Sequence, residues 1–126
     1  MTLAPSFDDL VELNRKITGG SGRVINADNL RSALGRPFHT FDGRLLHATV
    51  VSQAGALLEA LIAAHGFEDG NKRTAWIATK TFLIINDIPV RKVRHTLAAD
   101  FVEGVALHVY SGEAVSRWLA TELVGT

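Results

Sequence analysis

Two stretches of almost unbroken helical hydrophobicity, separated by a short polar segment, constrain this chain more than anything else in it. In the first, Val50, Ala54, Leu57, Leu58, Leu61 and Ile62 recur at helical spacing, and Glu59 is the only charged residue between Arg44 and His65 when histidine is counted as neutral. In the second, from about Asn71 to Asn86, Ala75, Trp76, Ile77, Ala78, Phe82, Leu83, Ile84 and Ile85 leave little polar surface. A helix that is apolar on nearly every side has to be covered by other elements. The pair is therefore expected to form the core, with the rest of the chain wrapped around it.

The remaining sequence supplies the cover. Ser6 is expected to cap a first helix with Asp8 and Asp9 in its first turn, carrying Leu10, Leu13 and Ile17 until Gly19-Gly20 stops it. Ser21-Gly22-Arg23 reads as loop. A second helix starts near Asn26 or Asp28, places Leu30 and Leu34 on one face and ends before Gly35-Arg36-Pro37. From Phe38 to Leu46 the pattern changes, and Asp42-Gly43 is a turn signal that suits a short hairpin or flap. Beyond Pro89 and the basic run Arg91-Lys92-Val93-Arg94, a helix from about Thr96 carries Leu97, Phe101, Val102, Val105, Leu107 and Val109. Ser111 can cap a last helix bearing Val115, Trp118, Leu119 and Leu123. The expectation is an all-α bundle of six helices, with a flap before the first central helix, in one domain spanning 1–126.

Composition narrows the function. Thirteen Lys plus Arg balance thirteen Asp plus Glu, so no long-range positive field draws the chain to nucleic acid or an anionic membrane, and direct nucleic-acid binding is not expected. No cysteine is present, which excludes thiol chemistry and a Cys-built zinc site. Met1 to Leu10 does not read as a signal peptide, and no apolar run reaches membrane-spanning length, so the cytoplasm is the expected compartment.

Chemistry concentrates between the two apolar helices. Positions 57, 61 and 65 share one stripe, which predicts an inward His65 at the end of the first; a hydrogen-bonded core histidine is the alternative. Asp69-Gly70-Asn71 is a turn leading into the second helix, whose first N–H groups have no partners within it. Lys72 and Arg73 add two cations where the helix dipole is already positive, an arrangement that a bound phosphate would explain. Alternatively both side chains reach back to Asp69 or Glu68 as surface ion pairs. Asp69 suits Mg²⁺, which takes one or two carboxylates together with phosphates and waters; a helix-start carboxylate favoured by the dipole is its other reading. Phe67 reads as core. A Walker-type phosphate loop is excluded because the G-x-x-x-x-G-K-S/T spacing is absent and a helix, not a strand, precedes Gly70.

His65-x-Phe67-x-Asp69-Gly70-Asn71-Lys72-Arg73 resembles the Fic/Doc signature H-x-F-x-D/E-G/A-N-x-R in its Doc-like form. The likeness extends more weakly to the whole chain, through the Gly-rich loop after the first helix and Ser111-Gly112-Glu113 before the last. AMP-transferring Fic enzymes carry a Gly after the Asn and a second Arg three residues beyond the first, where this chain has Lys72 and Trp76. In the family that Gly makes room for the phosphates in the AMP-transferring pose, and a Lys obstructs it. Doc-like members bind ATP in the reversed sense and transfer its terminal phosphate to a threonine of elongation factor Tu, arresting translation.

The resemblance implies the following roles. His65 is the base that takes the hydroxyl proton, with burial next to Arg73 helping to keep it neutral. Asp69 holds Mg²⁺ on the nucleotide, and Gly70, Asn71, Lys72 and Arg73 surround the phosphates. The flap, with Phe38, Thr40, Phe41 and Arg44, pairs with an extended piece of the target. Ala63 stands where some Doc-like members carry a polar or basic residue that helps grip the nucleotide. No [Ser/Thr]-x-x-x-Glu-[Gly/Asn] inhibitory segment is found, so control is expected from an antitoxin whose disordered C-terminal segment folds onto the chain. AMP transfer and a non-catalytic Fic-fold binding module are the competing functions.

Overall fold

The computed structural model describes residues 2–125. Met1 and Thr126, the ends of the expected domain, lie outside the described residues. The elements in chain order are α1 (Phe7–Thr18), α2 (Ala27–Gly35), a 3₁₀ turn (Arg36–Phe38), β1 (Thr40–Phe41), β2 (Arg44–Leu45), α3 (Val50–Ala64), α4 (Asn71–Ile85), α5 (His95–Ala106) and α6 (Glu113–Trp118). The last helix runs on as a wider, π-helical stretch, Leu119–Val124. The all-α architecture matches the expectation.

Helices α3 and α4 occupy the centre. Ala54, Leu57 and Leu58 of α3 and Phe82 and Leu83 of α4 are completely buried. They are covered by Leu10 of α1, Leu30 of α2, Phe101, Val102 and Val105 of α5, and Val115 of α6. Burying one such side chain contributes about 1.5–3 kcal/mol, which sets the two central helices as the main source of cohesion. An aromatic cluster ties α4 to the C-terminal half. Phe101 and Trp118 stack with centroids 3.8 Å apart, and Trp76 meets both edge-on at 6.4 and 6.2 Å. Trp76 therefore has a packing role that accounts for its presence on α4.

The start signals operate as expected in the first half of the chain. Ser6 accepts from the Asp9 N–H at 3.0 Å while the Asp9 carboxylate accepts from the Ser6 N–H, also at 3.0 Å, a reciprocal capping box. The backbone N–H of Ser6 and then its hydroxyl hold the Asp9 carboxyl below the usual aspartate range. Asn26 caps α2. In the flap, Thr40 pairs with Leu45 and Phe41 with Arg44, and Asp42 and Gly43 both take positive φ, 51° and 75°. Two successive positive φ values match the right-handed twist of the two strands, so Asp-Gly is suited to this turn.

Five local expectations are corrected. Phe38 lies in the 3₁₀ turn instead of the flap, half-buried with its ring 6.3 Å from Phe82, because Pro37 continues the chain as a tight turn and directs it onto the core. Ile84 and Ile85 are exposed (55% and 39%), since α4 outruns its cover at its C-terminal end. Leu107 and Val109 lie beyond α5 and face solvent, and Leu97 is also exposed. Ser111 does not cap α6; Gly112 precedes the helix and donates its N–H to Glu59 of α3 at 2.7 Å. His65 lies outside α3 and is exposed, as described below.

The capping box leads to a prediction. Ser6→Ala removes the side-chain acceptor for the Asp9 N–H and should lower stability by about 1 kcal/mol, read as a shifted urea midpoint. Because the Asp9 carboxyl titrates lower in the folded chain, its contribution is complete above the ordinary aspartate range and is lost as pH falls through the lowered value. Asp9→Asn should flatten that part of the acid-stability profile.

Candidate active site

The loop from His65 to Gly70 joins two buried helices, so its backbone polar groups need partners. The rest of the chain provides them. The Gly66 carbonyl accepts from the N–H groups of Ile25 and Asn26 at 2.8 and 3.1 Å, and the Glu68 N–H donates to the Arg23 carbonyl at 3.0 Å. The Asn71 side chain closes on Phe67 from both sides, its Oδ1 accepting from the Phe67 N–H at 2.9 Å and its Nδ2 donating to the Phe67 carbonyl at 2.8 Å. Phe67, only 2% exposed, pins the loop into the core as expected. At Gly66 a Cβ would stand 2.2 Å from Leu30 Cγ, so any larger residue would push α2 away from the loop.

One participant was not anticipated. Asn14, buried within α1, donates from Nδ2 to the Asp69 carbonyl at 2.8 Å and to Thr74 Oγ1 at 3.0 Å. It ties the loop to the first turn of α4. An Asn at an otherwise apolar inward position of an amphipathic helix, on the stripe of Leu10, Leu13 and Ile17, is the sequence signal for this role.

The loop places His65 outside the stripe that predicted it. The helix ends at Ala64, and His65 turns into the left-handed region with φ 44° and ψ 48°. It is exposed, so the burial expected beside Arg73 is absent. A non-glycine residue there costs of order 1 kcal/mol, and the rotation carries the imidazole out of the core to the rim of a cleft. That cleft, about 340 Å³, is lined by Ile62, His65, Glu68, Asp69, Gly70, Asn71, Lys72 and Arg73. Six of the residues singled out for chemistry thus share one concavity. Thr40, Phe41 and Arg44 of the flap do not line it, nor does Phe38 or Ala63. Ala63 instead borders a smaller depression with Asn29, Ser32 and Arg36.

The electrostatics of the cleft follow from α4. Gly70 precedes the helix without a side-chain cap, and the first helical bond is Thr74 N–H to the Gly70 carbonyl at 2.9 Å. The N–H groups of Asn71, Lys72 and Arg73 have no acceptor among the described residues. Neither expected ion pair forms: Glu68 pairs with Arg23 at 3.6 Å, and Lys72 pairs with Glu103 of α5 at 2.6 Å. Arg73 has no ion-pair partner among the described residues. Asp69 accepts the Gly70 N–H at Oδ1, 2.8 Å, and is otherwise open to solvent. The cleft therefore offers an accessible imidazole, two carboxylates of which Glu68 is paired with Arg23, an unpaired guanidinium and three free N–H donors, a set suited to a multiply charged anion carrying a divalent cation.

Comparison with known proteins places this arrangement. A model of the Fic/DOC family matches residues 4–83, from before α1 through most of α4. The chain belongs to the Fic/DOC family. A curated relative, "Toxin Doc" of Mycolicibacterium smegmatis, is 37% identical over 122 residues, covering 94% of this chain and 88% of the relative. Because that likeness runs past residue 83, it also takes in α5 and α6, including Glu103, which the family match leaves out.

Asn14 gives the site its testable structural element. Asn14→Leu removes both donated bonds and leaves the Asp69 carbonyl short of a donor, which should cost about 1–3 kcal/mol. The expected readout is a lower urea midpoint at unchanged m-value, with faster amide exchange at Thr74. An unchanged midpoint would mean that water replaces the amide.

Proposed function

We propose that this chain is a Doc-like toxin that transfers the γ-phosphate of ATP to a Ser or Thr hydroxyl of a protein, by resemblance elongation factor Tu, and so arrests translation. The observation that carries the reading is the convergence of His65, Asp69 and the first turn of α4 on one cleft whose cation without an ion-pair partner is Arg73. The relative's name, Toxin Doc, supports the toxin role. We read 1–126 as a single domain, because one core cluster runs from Leu10 to Leu123.

In the proposed reaction, the target hydroxyl oxygen forms a bond to the γ-phosphorus while the bond from that phosphorus to the β–γ bridging oxygen breaks. The electron pair leaves with ADP, and the hydroxyl proton passes to the His65 imidazole. Exposure of His65 serves this step, since the acceptor is a side chain presented by another protein. Arg73 and the N–H groups of Asn71, Lys72 and Arg73 oppose the charge on the phosphoryl oxygens. Asn71 braces the loop through Phe67 and keeps one Nδ2 hydrogen for the nucleotide.

No cluster of three or more acidic or histidine ligands exists among the described residues, so the protein alone does not cage a metal. The accessible Asp69 carboxylate, which has no ion-pair partner among the described residues while neighbouring Glu68 pairs with Arg23, fits Mg²⁺ that arrives with phosphates and waters. When bound, that ion neutralises phosphate charge.

The flap offers Thr40, Phe41 and Arg44 on a two-stranded hairpin, a surface suited to strand addition by the target. Restraint comes from an antitoxin whose disordered C-terminal segment folds on the chain. No helix among the described residues is long and apolar enough to cross a membrane. The proposed ATP- and translation-dependent activity belongs to the cytoplasm.

Expression of the chain should arrest bacterial growth, and His65→Ala should relieve the arrest. With purified elongation factor Tu, label should transfer from ATP carrying it at the γ position and be lost in His65→Ala. Transfer from the α position alone would replace this reading with AMP transfer.

A further inference from the structure

Lys72 borders two clefts. One is the His65 cleft; the other, about 320 Å³, lies between α4 and α5 and is walled by Trp76, His95, Ala98 and Val102. Lys72 and Arg73 are common to both and so form the ridge between them. The Lys72 ammonium does not point at the His65 cleft's own carboxylates. It ends 2.6 Å from Glu103 Oε2, and Glu103 lines the second cleft alone.

We propose that Glu103 is a positioning residue that determines which phosphate is transferred: by holding the Lys72 ammonium on α5, it keeps the Lys72 stem as a wall between the two clefts and confines the nucleotide's phosphates to the His65 side. The proposal rests on the phosphate-transfer reading above. Two physical consequences of the pair support it. First, both side chains are about half exposed, 49% and 50%, so without Glu103 the four-carbon Lys72 stem would spread over many rotamers and the wall would be intermittent. Second, the Glu103 carboxylate cancels the Lys72 charge and so leaves Arg73 as the cation available on the ridge. Lys72 thereby acts through its bulk, and Arg73 through its charge.

With the wall in place, attack falls on the γ-phosphorus and ADP leaves. With it open, the nucleotide can extend into the second cleft and present the α-phosphorus instead. The target oxygen would then bond to that atom, the bond to the α–β bridging oxygen would break, and pyrophosphate would leave with the electron pair. An exposed pair of this kind accounts for roughly a two- to fivefold effect.

The test compares wild type, Glu103→Gln, Lys72→Met and the double variant, each checked by circular dichroism for wild-type helicity. Each is incubated with elongation factor Tu and ATP labelled at the α or the γ position. Glu103→Gln should raise the α-to-γ label ratio roughly two- to fivefold, Lys72→Met should raise it at least as far, and the double variant should match Lys72→Met, because Glu103 acts only through Lys72. A pair that merely ties α4 to α5 would leave the ratio at the wild-type value, and that result, or additive effects in the double variant, would overturn the proposal alone. If wild type transfers only α label, the phosphate-transfer reading and the proposal fall together.

Discussion

The structure depends on satisfying the backbone of a six-residue loop, 65–70, held between two apolar helices. With most polar groups of α3 and α4 spent within each helix, only the start of α4 reaches the loop, through the Thr74 N–H on the Gly70 carbonyl and the Asn71 side chain on Phe67. The remaining bonds come from the 23–26 segment and from Asn14 of α1, while Asn29 of α2 donates to the Ala64 carbonyl that ends α3. The wrapping of α1 and α2 around the central pair is thus as much a polar requirement as an apolar one. Leu10 and Leu30 bring the helices to the core, and Asn14 and Asn29 fix where they stop. The loop to which the chemistry is assigned by proposal is consequently held from three sides before any ligand arrives.

The fold was legible where short-range rules dominate. Helical periodicity located α1 to α4, and the Ser6 cap, the Asn26 cap and the Asp42-Gly43 turn are all decided within a few residues. Legibility failed where tertiary partners decide. Leu107 and Val109 continue the apolar pattern of α5, yet the chain turns away at Ala106 and nothing covers them. Ser111 is a sound cap in isolation, but Glu59, more than fifty residues earlier, claims the neighbouring Gly112 N–H. The same distinction applies to the site. Membership of the cleft followed from spacing, since His65 to Arg73 is a single local motif. The partners of its charges did not, because Glu103 lies on another helix and Arg23 on another loop.

The two adjacent cations at the start of α4 have different electrostatic situations. Lys72 is neutralised at 2.6 Å, whereas Arg73 is left to the solvent and the cleft. A helix start already carrying partial positive charge disfavours both, and pairing one of them reduces the repulsion that the other must bear. One turn further on, Trp76 anchors the same helix to Phe101 and Trp118, so the helix that borders the His65 cleft is fixed to the C-terminal half of the bundle. Charge at position 73 and aromatic packing at position 76 thus sit one turn apart on the same side of α4, both bordering the cleft against α5.

His65 occupies a backbone conformation that glycine or asparagine would adopt with less strain. Stability and activity therefore favour different residues at this codon. While the chain is under selection to act, the imidazole is retained despite the strained geometry. Under the proposed role, once that selection relaxes, substitution to asparagine, which a single nucleotide change in a histidine codon provides, removes the imidazole and eases the strain together. Replacement at this position is accordingly expected to leave a well-folded protein, still able to present the rest of its surface to whatever binds it, so losing the proposed activity need not mean losing the gene.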